Sequence, residues 1–193
     1  MKKFILSISA LALALVSPVF AENTTSGATD RQMKRDEIRA DFRAKLATLR
    51  DQKKKAILER LDTRMKELNA NRTATMLRHL TKIEETLNKI ETRTNTVAAP
   101  GKDVAVVRAA ITKARDAIAA ARTAVNAQAA KTYTIEITTE ANLGSAASTV
   151  RTQLAKDLQA AHQMVVTARK AVRDVLVALG KVVGEKLTNT VEK

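Results

Sequence analysis

Arg31, Arg35, Arg39 and Arg43 stand four residues apart, so on a helix they form one cationic row. Arg50, the run Lys53, Lys54 and Lys55, then Arg60 and Arg64 carry the charge onward. Guanidinium and ammonium groups at this density neutralise and hydrogen-bond anionic oxygens. One reading of the row is therefore a docking face for a polyanion: nucleic acid, anionic lipid headgroups or an acidic wall polymer. The other is a solvated face that keeps the protein dissolved. Like charges four apart repel by a few tenths of a kcal/mol per pair, and Asp41→Lys45, Asp51→Lys55 and Asp62→Lys66 offset part of that.

No other residue set points to chemistry. His79 and His162 are the two histidines, and neither has a His or carboxylate three or four residues on, as a helical metal site needs. Glu84-Glu85 resembles a carboxylate pair, but Glu85 precedes Lys89 by four residues, the geometry of a surface ion pair. Cysteine is absent, which excludes disulfides, thiolate zinc sites, a cysteine nucleophile and a lipid-modified N-terminal cysteine. No glycine-rich phosphate loop or nucleophile elbow occurs. The expectation is a non-enzymatic protein with no catalytic or metal-ligating residues, no cofactor and no small-molecule substrate.

The elements that must carry the cationic row are helical. The chain has 193 residues with 34 Lys+Arg against 20 Asp+Glu, a formal charge of +14. Five Gly and two Pro are too few for a turn-rich β protein, and aromatics make up 2% with no Trp. So scarce an aromatic complement cannot build a base-stacking surface. Thr29 and Gln32 have capping-box spacing, and from there to about Thr94 runs a helix pattern free of Gly and Pro. Its first ridge is Ile38, Phe42, Leu46, Leu49, Ile57, Leu61, Met65 and Leu68, with a hole at Lys53. Beyond a dip in propensity at Asn69-Ala70-Asn71, Met76, Leu80, Ile83, Leu87 and Ile90 alternate four and three, the coiled-coil spacing.

Pro100-Gly101 breaks the pattern. The next ridge is Val104, Val107, Ile111, Ala114, Ile118, Ala121 and Val125, in a stretch where 14 of the 33 residues from Ala98 to Ala130 are Ala. Small side chains there allow close helix approach but bury little area each. Tyr133, Ile135 and Ile137 alternate with polar residues like a strand, yet no partner strand is in sight, so 132–142 reads as an extended connector. A last helix follows to about Thr188 with the ridge Val150, Leu154, Ala161, Val165, Ala168, Val172, Val175, Leu179 and Val182. Gly180 and Gly184, beside that ridge, read as local weakening near its end.

These patterns predict an all-α, elongated antiparallel bundle or coiled coil of three long helices with a projecting N-terminal helical arm. The expected divisions are a signal peptide at 1–21, a flexible tether at 22–29, a basic amphipathic arm at 30–70, the three-helix bundle at 71–188 and a frayed tail at 189–193. Lys2 and Lys3, the apolar run Phe4 to Val16, Pro18 and the small residues before Glu22 compose the signal, with cleavage after Ala21. Removing Lys2 and Lys3 from the 34 basic residues leaves 32 against 20 acidic, or +12. The expected place is outside the cytoplasm of a bacterium: periplasm, cell surface or secreted space.

A structural or interaction protein of the cell envelope is the leading expectation. A polyanion-binding module acting through Arg31, Arg35, Arg39, Arg43, Arg50, Lys53, Lys54, Lys55, Arg60 and Arg64 is the alternative. A periplasmic-type chaperone is the third class, although Leu80-Thr81-Lys82-Ile83-Glu84 departs from the Leu-Thr-x-x-Gln motif of small exported helical chaperones at its last residue. The ridge Ile38, Phe42, Leu46, Leu49, Ile57, Leu61, Met65 and Leu68 also predicts a weak homodimer through the arm.

Overall fold

The computed structural model describes residues 23–191. The signal peptide expected at 1–21 and its cleavage point after Ala21 lie outside the described residues. The described chain is all-α, with four helices packed together: α1 Asn23–Ala47, α2 Gln52–Ala98, α3 Ala105–Ala129 and α4 Leu143–Val191. No strand occurs among the described residues. No helix of theirs is long and apolar enough to cross a membrane.

The expected 30–70 arm is not one helix: it is divided between α1 and the start of α2, and α1 packs against α2 where three long helices and a projecting arm were expected. Thr48 closes α1: its hydroxyl donates to the Lys45 carbonyl at 2.7 Å, and the Thr48 and Leu49 N–H groups reach back three residues. Asp51 opens α2 as its N-cap, its Oδ1 accepting the Lys53 and Lys54 N–H groups at 2.9 and 3.2 Å. Between them the chain reverses. Phe42, Leu46 and Leu49 of α1 join Leu58 and Met65 of α2 in a buried cluster. The hole in the sequence ridge at Lys53 marks the first turn after this break. Two further boundaries differ from expectation: the segment expected as a tether is helical from Asn23, and α4 continues through 189–191.

α2 is 47 residues long, about 70 Å, and α4 is 49, about 73 Å, while α3 has 25 and spans about 37 Å. Two helices therefore run the length of the molecule and α3 covers half of it. In that half, Leu80, Leu87, Val107, Ala114, Ala121, Val125, Ala168 and Val175 are wholly buried in one core shared by α2, α3 and α4. The turn leading into it needs Gly101, whose φ is +85° and whose N–H donates to the Ala98 carbonyl at 2.9 Å.

In the other half, the second core is built from α1, the start of α2, the start of α4 and the extended segment after α3. Ile135 and Ile137 of that segment are buried there beside Leu143 and Leu154. Its far end is pinned at the α1–α2 bend, where Glu140 accepts the Arg50 N–H at 3.0 Å and pairs with Lys54 at 3.7 Å.

Candidate functional site

The reversal at 48–51 determines where the cationic row goes. α1 runs back along α2, so Arg35 and Arg39, both half-buried, line a cleft with Asp62 and Lys66 of α2 and Lys131 and Tyr133 of the segment after α3. The cleft holds about 170 Å³. Four cations from three elements thus line the cleft with one carboxylate, and one of the four, Lys131, is paired with Asp157 behind it. Burial pushes the Asp62 carboxyl above its ordinary range, outweighing the Arg39, Lys66 and Arg43 charges that pull it down. Asp62 makes no ion pair with any of them among the described residues.

The remaining cations of the row are dispersed. Arg31 and Arg43 are exposed on α1, and Arg60 and Arg64 are exposed on α2. Arg50, Lys53, Lys54 and Lys55 cluster at the bend, the three lysines in the first turn of α2. There the helix dipole is positive, so they sit against the local field. Of the three offsetting pairs read from the sequence, Asp41–Lys45 closes at 2.9 Å. Asp51 is committed to its cap instead, and Asp62 is turned to the cleft.

Four of the eight ridge residues, Phe42, Leu46, Leu49 and Met65, are buried within the single chain, and Leu61 is half-buried. Ile38, Ile57 and Leu68 remain exposed, and the buried α2 position next to Ile57 is Leu58. The reversal shifts the helix phase by one residue at that point, which a continuous-helix reading cannot see.

Beside the cleft lies a buried polar chain. Asn69 Nδ2 donates to the Gln128 and Lys131 carbonyls at 3.1 and 3.4 Å, where α3 ends and the Gln128 carbonyl also accepts the Lys131 N–H at 3.1 Å. Gln128 Nε2 donates to Asn69 Oδ1 at 3.0 Å and to the Tyr133 hydroxyl at 2.8 Å. That hydroxyl donates to Asp157 Oδ2 at 2.6 Å, where Lys131 Nζ also arrives at 2.9 Å. Gln153 Nε2 completes the carboxylate at 2.9 Å on Oδ1. Donation from Tyr133 and Lys131 holds Asp157 below the usual carboxylate range, while burial first and this hydrogen bond second raise the Tyr133 phenol. The network fixes Lys131 and Tyr133, two walls of the cleft, near the junction where Leu158 packs against both apolar cores.

The structure also brings together what the sequence kept apart. His79 of α2 and His162 of α4 line one cleft with Lys82 and Arg169. No group of three or more His, Cys, Asp or Glu capable of holding a metal occurs among the described residues. Lys66 and Lys131 had no signal in the cationic row, since only the packing of α1 on α2 and the segment after α3 assembles them with it. A comparison with protein-family models, curated proteins and solved structures finds no match to this chain.

Proposed function

We propose that this chain is an exported, non-enzymatic interaction protein that docks on an anionic polymer or surface of the bacterial cell envelope. The observation that carries the reading is the convergence of Arg35, Arg39 and Lys66, beside a Lys131 paired with Asp157, on a cleft whose one lining carboxylate is held above its ordinary range. Cations gathered from three elements keep a fixed spacing, which a flexible basic tail does not, and so cost less entropy to order on an anion. The exposed cations at the bend and on α2 extend the same sign of charge and steer an anionic partner inward. Export rests on the composition of residues 1–21.

Duplex DNA and phosphatidylglycerol vesicles, titrated at several salt concentrations, test this. Association that weakens steeply with salt is the expected result. Arg35→Ala with Arg39→Ala should lower the DNA salt slope by about two units, at roughly 0.9 per lost phosphate contact. Asp62→Asn should tighten binding. Absent or salt-insensitive association would leave a purely structural scaffold as the function.

A further inference from the structure

A second surface, further along α2 and α4 than the cationic cleft, has a different character. Two clefts of about 270 and 340 Å³ lie between α2 and α4, and they share Lys82, Ile83 and Arg169, so they form one groove. Its floor is Ile83, Val165 and Val172, and it continues to Leu176. On α4 the residues His162, Val166, Arg169, Arg173 and Leu176 are spaced four, three, four and three, which places them on one stripe. Val166, Leu176 and the neighbouring Val177 are 40%, 48% and 54% exposed. Two further steps of four from Leu176 reach Gly180 and Gly184, and a Cβ at either would meet nothing within 4 Å.

The rim has one sign of charge. Lys82, Arg169 and Arg173 border the groove, no carboxylate lines it, and none of these three side chains has an ion-pair or hydrogen-bond partner among the described residues. The opposite seam of α2 is built differently: Arg115 pairs with Glu91, and Arg122 with Glu84 at 2.8 Å, across to α3.

We propose that the α2–α4 groove receives the apolar face of an acidic amphipathic helix from a partner protein, with Lys82, Arg169 and Arg173 meeting its carboxylates. From His162 to Leu176 the groove runs about 21 Å, four turns of such a helix, and the two glycines let its backbone come close at one end. Charge complementarity selects this occupant. A second copy of the chain brings +14 to a cationic rim. Residues 1–22 bring Lys2 and Lys3 against the single acid Glu22. The trough is open along its length, which suits a helix better than an acyl chain. This surface is independent of the cleft that supports the proposed function, and either can hold without the other.

The test uses the full chain and a labelled synthetic peptide of about three heptads, with Leu at the seam positions and Glu at the flanking ones. Fluorescence anisotropy should show saturable binding, weakened at least tenfold by Arg169→Glu with Arg173→Glu and also by Leu176→Ser. Arg35→Ala with Arg39→Ala should leave it unchanged. A sister peptide with Lys in place of Glu should not bind. The substituted positions are exposed, so circular dichroism should report an unchanged fold; should it change, Val166→Ser and Lys82→Glu carry the same test. The proposal is overturned by no binding of the acidic peptide at millimolar concentration, or by equal binding of the basic one. It is equally overturned if the groove variants abolish only binding to anionic vesicles, or if sedimentation shows the groove occupied by a second copy.

Discussion

The two halves of the molecule solve the same packing problem with different material. Around Leu80 and Leu87, three regular helices close on one another with an alanine-rich seam, and the α2–α3 edge is tied by Arg115–Glu91 and Arg122–Glu84. Around Leu58 and Met65, α2 and α4 are too far along to meet α3, and the gap is filled by α1 and an extended segment. The first half therefore leaves the α2–α4 edge open, whereas the second has a fourth piece of its own chain to lay against it. A helix pair longer than its partner needs a cover, and this chain supplies one at one end.

The largest test of that contrast is a cavity in each half. Leu87→Ala removes a fully buried side chain from the three-helix core and should lower the unfolding free energy by about 2–5 kcal/mol. Phe42→Ala empties the cluster under α1, a helix joined to α2 through a four-residue bend. Hydrogen exchange should then show α1 amides losing protection while those of α3 keep theirs. Simultaneous loss across all four helices would mean that the two halves form one cooperative unit.

Next in size is the polar chain at the boundary between the cores. Asn69→Ala removes the donor to the Gln128 and Lys131 carbonyls and the acceptor of the Gln128 amide. The Gln128 carbonyl keeps the Lys131 N–H and the Gln128 amide keeps the Tyr133 hydroxyl, so losing the Asn69 bonds should cost about 1 kcal/mol in denaturant unfolding. A loss below a few tenths would show that water replaces the amide and that the halves need no such register.

These residues also mark how far the sequence could be read. The 3–4 ridge of α3 was legible because every position from Val104 through Val125 named in it is buried, and Pro100-Gly101 did end the helix before it. Regular helices facing one core leave a periodic signal. The bend at 48–51 was not legible, since it uses neither Gly nor Pro: a Thr hydroxyl and an Asp cap end and start the helices. Asp51 looked like the partner of Lys55 because four-residue spacing and capping draw on the same residue types. Asn69 looked like a weak point in a helix for the same reason, although its amide is spent on the Gln128 and Lys131 carbonyls at and just past the end of α3. The cationic row was visible, but its meeting with Lys66 and Lys131, and the meeting of His79 with His162, are products of tertiary packing with no local trace.

A smaller effect sharpens the open edge of the first half. Gly180 and Gly184 lie inside α4, and their missing side chains have open space around them. Gly180→Ala and Gly184→Ala should each stabilise the free chain by roughly 0.8–1 kcal/mol, the difference in helix propensity. Thermal unfolding measures this directly. A destabilisation would mean that the space is already filled, and would count against an uncovered groove there.

The smallest effects come from two aspartates near the boundary, and they have opposite signs. Asp157 is held below the usual carboxylate range by Tyr133 and Lys131, so between its folded and unfolded values the unfolded chain binds more protons. Its contribution is present above the ordinary aspartate value, near 3.9, and is lost as pH falls through the lower folded one. Asp62 is raised by burial, so the folded chain binds the extra proton, and stability declines as pH rises from the ordinary value through the folded one. In the intact chain the first slope lies below the ordinary value and the second above it. Asp157→Asn should flatten the acid limb of a plot of unfolding midpoint against pH, leaving the less acidic limb in place. Asp62→Asn should do the reverse, raising the midpoint at neutral pH relative to the unmodified chain. Lys131 is about half exposed and screened, so the Asp157 effect depends chiefly on the Tyr133 hydrogen bond. Tyr133→Phe should therefore reproduce most of the Asp157→Asn change, and Lys131→Met little of it; the opposite ranking would assign the boundary to an ion pair and predict that added salt erases it.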